Sequence, residues 1–191
     1  MLSILGGEWS GRRLKALERE GLRPSSGRVK AGLFSIIEAI EWKRRGEPPT
    51  YSGWRCVDLY AGVGGLGLEI LSRGAEHCVF VEKDRKTSQV LLENIKILGC
   101  SAQCQVKNDD VTKGKWRGEG PFDLVLLDPP YADSYLPELL ASFAEGSLLN
   151  PGAIVVFEHD PKVSYAGLPN LRLHSTRTLG PAGISVFLRD A

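Results

Sequence analysis

The sequence predicts a doubly wound α/β fold, and three observations predict it. Strand-like and helix-like segments alternate from Trp54 onward, which is the pattern of a sheet covered by helices. The stretch Pro121-Phe122-Asp123-Leu124-Val125-Leu126-Leu127 carries an apolar run with no turn signal inside it. Such a run suits a strand buried on both faces of a parallel sheet. Glycines gather at Gly62, Gly64, Gly65 and Gly67, between the first strand and its helix. Backbone there can approach a ligand closely and aim N–H groups at it.

In chain order, residues 1–20 read as a short β-hairpin or arm, with turn points at Gly6-Gly7 and Gly11. Residues 21–27 are loop, and Ser25 or Ser26 is placed to cap the next helix. Val29, Leu33, Ile36, Ile37 and Ile40 recur at helical spacing, predicting an amphipathic helix over 28–42. Residues 44–53 hold Pro48-Pro49 and read as a linker. Strands are predicted at 54–59, 77–81, 102–106, 122–127 and 153–158. Helices are predicted at 66–73, 85–98 and 135–145, with Gly74, Gly99 and Gly146 at their ends. A short turn or helix surrounds Trp116. Two last strands, 171–176 and 184–188, are joined by Gly180-Pro181-Ala182-Gly183. With no helix between them they form a hairpin, so one edge strand should be antiparallel. The division is 1–45 as arm and helix, and 51–191 as the main domain.

The chain has 191 residues, 42% of them hydrophobic and 25% charged, enough for one sizeable core. No apolar run reaches the ~20 residues of a membrane span. The first residues are too briefly apolar for a signal peptide, and their charges come after the apolar stretch. A cytoplasmic protein is expected. The net charge of +1 predicts no partner by itself. Locally, however, Arg12, Arg13, Lys15, Arg19, Arg23, Arg28 and Lys30 outnumber Glu18 and Glu20, and such a segment can meet phosphates or form a solvated face. Cys56, Cys78, Cys100 and Cys104 lack paired zinc spacing and read as structural thiols. No metal is expected, and no metalloprotease or serine-hydrolase pattern is present.

Four acids come at or after the strand ends. Asp58 ends the first strand, just before the glycine loop. Gly62, Gly64 and Gly67 match dinucleotide-binding spacing by count, but Asp58 would repel a pyrophosphate and suits a positively charged ligand instead. Glu82 ends the second strand about 20 residues beyond the glycines, where an acid accepts from ribose hydroxyls. After the third strand, Asp110, or alternatively Asp109, can accept an adenine amine, with the next backbone N–H, at Val111, serving a ring nitrogen. The bland reading of Asp110 is a helix cap. Asp128-Pro129-Pro130-Tyr131 ends the fourth strand. Its prolines stop the ladder and leave a stiff loop of acceptors beside a ring, suited to a planar group bearing an amine. One ligand, S-adenosylmethionine, answers the first three acids. Its expected contacts are Asp58, Ala61, Gly62, Gly64, Glu82, Lys83, Asp110 and Val111.

These ordered motifs resemble class I S-adenosylmethionine-dependent methyltransferases, and Asp128–Tyr131 looks like the motif of amino-methyltransferases. Gly6-Gly7, Gly11-Arg12, Leu22-Arg23-Pro24, Arg28-Val29-Lys30 and Leu33-Phe34 extend the similarity. The whole is similar to the bacterial 16S rRNA guanine-N(2)-methyltransferase family that modifies guanine 966. The chain departs from that pattern at Gly27 and Ala31, where the family often has Asp and Glu, and at Leu179, where it often has Tyr. The resemblance implies a Rossmann-like seven-stranded sheet of order 3-2-1-4-5-7-6 with the last strand antiparallel. It implies 16S rRNA of the assembling small ribosomal subunit as partner, contacted by Arg12, Arg13, Arg23, Arg28 and Lys30. A monomer is expected. Asp128, Pro129, Pro130 and Tyr131 are the expected catalytic residues. Asp128 and the Pro129 carbonyl would accept the amine hydrogens, and Tyr131 would stack on the base, worth roughly 1–3 kcal/mol. Rival readings are a DNA or protein-glutamine amino-methyltransferase, a nicotinamide dehydrogenase, and an inactive RNA-binding assembly factor.

Overall fold

The computed structural model describes residues 2–17, 27–130 and 134–190. The expected caps Ser25 and Ser26 therefore lie outside the described residues, as do Arg23 and Tyr131. The arm forms a hairpin. Ser3 bridges Arg13 antiparallel, and Ile4 N–H donates to Arg12 O at 2.9 Å and Leu14 N–H to Leu2 O at 3.0 Å. Helix α1 (Gly27–Arg45) comes next. The alternating part is β1 (Arg55–Leu59), α2 (Gly67–Ser72), β2 (His77–Val81), α3 (Arg85–Leu98) and β3 (Cys104–Lys107), then β4 (Phe122–Leu127), α4 (Leu136–Glu145) and β5 (Leu149–His159). A hairpin of β6 (Leu171–Leu179) and β7 (Ala182–Arg189) ends it. The strand order is β3-β2-β1-β4-β5-β7-β6, the order the family resemblance implies. Five strands run parallel, and β7 lies antiparallel to both neighbours.

The sequence reading holds for β2, α3 and β4 residue for residue, because each has clear punctuation. Asp84 caps α3, its Oδ1 accepting Thr87 N–H at 2.8 Å, and Gly99 closes the helix in the left-handed conformation with φ 74. Elsewhere tertiary contacts decide. The hairpin argument alone expects the antiparallel strand at the edge, whereas it stands one place in. β7 pairs with β5, and β6 takes the outside. Helix α1 runs three residues beyond 42, since Arg44 and Arg45 pair with buried Glu41 at 2.8 and 3.1 Å. Strand β3 starts at Cys104, after a 3-10 turn over Ser101–Gln103. Strand β5 starts at Leu149, before Pro151 and Gly152, with a register shift against β4.

Two apolar layers flank the sheet. One joins α1, α2 and α3 with Cys56, Cys78, Ile154 and Ile184. Ile4, Trp9 and Leu14 of the arm are buried in this same layer. The other is made by α4 and the 3-10 turns, where Trp116 and Phe143 meet Val125 and Phe157. Burying side chains of this size is worth about 1.5–3 kcal/mol each. All four cysteines are free, and Cys100 and Cys104 have their sulfurs 3.7 Å apart.

Candidate active site

Parallel strands put their carboxyl ends on one edge of the sheet, where α/β proteins bind ligands. Along that edge β3, β2, β1 and β4 are neighbours. The acids at or beyond their ends are therefore Asp109–Asp110, Glu82, Asp58 and Asp128, in that spatial order. Neighbouring strands lie ~4.8 Å apart, so the row spans about 14 Å.

Asp58 is 1% exposed, and its Oδ2 accepts the Gly67 N–H at 2.8 Å. Burial pushes its carboxyl up to about 8; the Gly67 bond opposes this, while the nearby Asp128 and Glu82 carboxylates add to it. A buried carboxyl shifted in this way and lining a cleft makes Asp58 a candidate site residue. The chain then turns sharply. Tyr60 has φ 63, a left-handed conformation that costs a non-glycine residue of its size about 1–3 kcal/mol. Gly62 has φ 55 and nothing within 4 Å of where a Cβ would stand, so its outer side is open. Gly67 differs. A Cβ there would lie 2.3 Å from Phe80 Cε1, so this glycine lets α2 pack onto β2.

Glu82 holds the loop from the next strand. Its Oε2 accepts Gly62 N–H at 3.0 Å and its Oε1 accepts Asp84 N–H at 2.8 Å. A carboxylate has about four acceptor positions, so the ribose reading is compatible with both bonds. Lys83 beside it is exposed. Asp110 caps a 3-10 turn, its Oδ1 accepting the Thr112 amide at 3.0 Å and hydroxyl at 2.8 Å. Those two bonds hold its carboxyl below the usual range. The cap reading thus holds, and the second oxygen is what the adenine reading must use. Val111 is buried, and its carbonyl accepts Trp116 Nε1–H at 3.0 Å. Among the described residues no group of three or more His, Cys, Asp or Glu can hold a metal.

The cleft brings together Asp58, Ala61, Gly62 and Asp128, with Tyr60, Val63, Gly65 and Leu66 around them. Gly64 sits behind this wall, where a Cβ would meet Leu91 at 2.5 Å. Leu2 of the arm and Lys30 of α1 also line the cleft. Sequence reasoning missed Leu2 here and misassigned Lys30. Lys30 is corrected: it is 2% exposed, and its Nζ is 2.6 Å from Ser3 O and 2.9 Å from Glu69 Oε2. A cation so enclosed does not face RNA phosphates. The signal for it was Glu69, a lone charge inside the apolar helix Gly67–Ser72. Arg12, Arg13 and Arg28 are exposed. Pro129 is buried and Pro130 exposed.

The family model described as conserved hypothetical protein 95 matches residues 2–188. Ribosomal RNA small subunit methyltransferase D of Haemophilus influenzae is 33% identical over 181 residues, covering 93% of this chain and 88% of that protein. The chain belongs to this family. YlbH of Bacillus subtilis, named as a proposed rRNA methyltransferase, is 33% identical over 97% of this chain and 98% of its own. The solved structure of yhhF from Escherichia coli, a proposed methyltransferase, superposes with a TM-score of 0.81 at 28% identity, covering 100% of this chain and 98% of that one. The family's fold therefore extends through the arm and α1 as well as the sheet.

Proposed function

We propose that this protein transfers a methyl group from S-adenosylmethionine to the exocyclic N-2 amine of a guanine in 16S rRNA. One observation carries the reading. The acids stand along the sheet edge in the order in which the donor and acceptor would lie: adenine at Asp110, ribose at Glu82, the amino-acid ammonium at Asp58, the target amine at Asp128. Family membership supplies the rRNA address.

The donor, when bound, supplies an electrophilic methyl group on a sulfonium. The chain supplies orientation. Asp58, buried and adjoining open space at Gly62, fits a cationic ammonium. Glu82 keeps the loop backbone in place while accepting hydroxyls. The guanine amine is a poor nucleophile because its lone pair is delocalised into the ring. Asp128 and the Pro129 carbonyl accept its hydrogens and turn that lone pair toward the cleft. Forming the N–C bond would break the donor's S–CH3 bond, its electron pair staying on sulfur to give S-adenosylhomocysteine, and one N–H proton would pass to Asp128 or to water. Tyr131 stacks on the base, which must leave its helix to reach the site. Proximity of this kind is worth ~7–11 kcal/mol in favourable cases. Arg12, Arg13, Arg23 and Arg28 contact the RNA backbone. The protein works as a monomer in the cytoplasm, on the assembling small subunit.

The test is methylation with labelled donor of undermodified 30S particles, naked rRNA and DNA in parallel, with subsequent mapping of the base. Label in 16S rRNA on a guanine N-2 is expected. Asp128→Ala should lose methylation by at least a hundredfold while still binding S-adenosylhomocysteine, in line with the ~10²–10³ cost of removing one positioning group at a reacting centre. Label on DNA alone, or an unimpaired Asp128→Ala enzyme, would overturn the reading.

A further inference from the structure

Two buried side chains tie the N-terminal arm to the glycine loop. Asn94 of α3 is 0% exposed. Its Nδ2 donates to Val63 O in the loop at 2.9 Å and to Lys15 O in the arm at 3.0 Å, and its Oδ1 accepts Lys15 N–H at 2.7 Å. Lys30 makes the second tie. Its Nζ donates to Ser3 O at 2.6 Å and reaches Gly65 O at 3.5 Å. The carboxylate opposite it, Glu69, is 0% exposed and accepts the arm amides of Leu5 and Gly6, each at 2.8 Å. Each tie thus joins one backbone carbonyl of the loop to backbone atoms of the arm. Leu2 closes the cleft between them, its Cδ1 3.8 Å from where a Gly65 Cβ would stand.

The arm's outer side carries exposed Arg12 and Arg13, while its inner side is part of the cofactor cleft. A buried polar group left without its partner is costly. Undocking the arm would take both Lys15 bonds from Asn94 and the Ser3 carbonyl from Lys30, leaving two buried side chains under-bonded beside the loop carbonyls they hold, so arm and loop should open as one unit. We propose that Lys30 and Asn94 are positioning residues that fasten the arm to the cofactor loop, so that RNA held by the arm and nucleoside held by the loop strengthen each other's binding. This rests on the methyltransferase reading above. Coupling of this kind is reciprocal: each ligand raises the affinity of the other by the same factor.

The test is calorimetric binding of S-adenosylhomocysteine to the full chain, with and without a 16S rRNA fragment. Wild type is compared with Asn94→Asp, Lys30→Met and Leu139→Val. Asn94→Asp keeps the shape and loses both donated bonds. In Lys30→Met, Glu69 keeps Arg73, whose Nε lies 3.0 Å away. Leu139→Val lowers stability from the opposite layer and leaves the ties intact. Expected are a dissociation constant weakened roughly tenfold in both tie variants, an unchanged one in Leu139→Val, and an RNA-dependent gain in affinity that wild type shows and Asn94→Asp lacks. Hydrogen exchange on wild type needs no variant. The ligand should slow the arm amides of Ile4 and Leu14 together with those of residues 61–67. Wild type that binds the ligand while the folded tie variants bind it equally well overturns the coupling alone, as does arm exchange indifferent to ligand. Wild type that binds no ligand overturns the methyltransferase reading and the coupling with it.

Discussion

Asp58 is the residue at which the proposed use of the cleft can be tested by titration. An unfolded Asp ionises near pH 4, whereas burial at the end of β1, beside Asp128 and Glu82, pushes Asp58 up to about 8. The folded protein without ligand therefore keeps a proton that the unfolded chain gives up. A raised pKa contributes stability that is fully present below the unfolded value and is lost as pH rises through the folded one. The Tm of the ligand-free protein should fall between about pH 4 and pH 8 on this account, and Asp58→Asn should remove that part of the slope. A cation arriving beside Asp58 favours the ionised form. Binding of S-adenosylhomocysteine at pH 7 should then release a proton, detected by calorimetry in two buffers of different ionisation enthalpy. Asp58→Asn should release none from this group. A wild-type profile as flat as that of the variant would contradict the assignment.

At the scale of elements, the β1–loop–α2 unit is tightly constrained at Gly67. Gly67 accommodates the Phe80 ring, and its amide is the donor to Asp58. Gly67→Ala puts a methyl 2.3 Å from the Phe80 ring and 2.9 Å from Cys78 Sγ, both fully buried and without room to retreat. Overpacking of this kind costs about 1–3 kcal/mol, measurable by urea unfolding, and should displace Asp58 enough to weaken ligand binding as well. The elements that could be read in the sequence are those whose signals are local. α3 carries Asp84 before it and Gly99 after it, and β4 ends at two prolines. The first residues of β5 and the last turn of α1 could not be read so. Asn150 Nδ2 donates to Asp123 at 2.8 Å, across from β5 to β4, and buried Glu41 holds Arg44 and Arg45. Neither a cross-strand partner nor the burial of Glu41 has a local signature.

For the molecule as a whole, the arm is the part whose meaning changes most between chain and fold. Its composition reads as a basic extension, yet Ile4, Trp9 and Leu14 lie in the same apolar layer as α1 and α2. It has two sides. The outer one, with Arg12 and Arg13, is available to a polyanion. Each phosphate contact contributes about −0.9 to the slope of log affinity against log salt for duplexes, and about −0.7 for single strands. Arg12→Ala and Arg13→Ala should each flatten the salt dependence of 16S rRNA binding by roughly one unit or less, with S-adenosylhomocysteine affinity measured in the absence of RNA unchanged. Equal slopes for wild type and the double variant would remove the arm from the RNA interface.

The α/β class, the glycine loop and the four strand-end acids that suggest the reaction type were all legible in the chain. Those signals are short-range: a strand, its terminator and the next residue are adjacent in sequence. That Lys30 faces inward, that Asn94 and Glu69 tie the arm down, and that the arm's apolar residues enter the core became visible only in three dimensions. These contacts join partners far apart in the chain, 35 positions for Lys30 with Gly65 and 79 for Asn94 with Lys15. A charged side chain reads as solvent-facing until its buried counterion is known, because pairing and backbone acceptors decide where such a charge can rest.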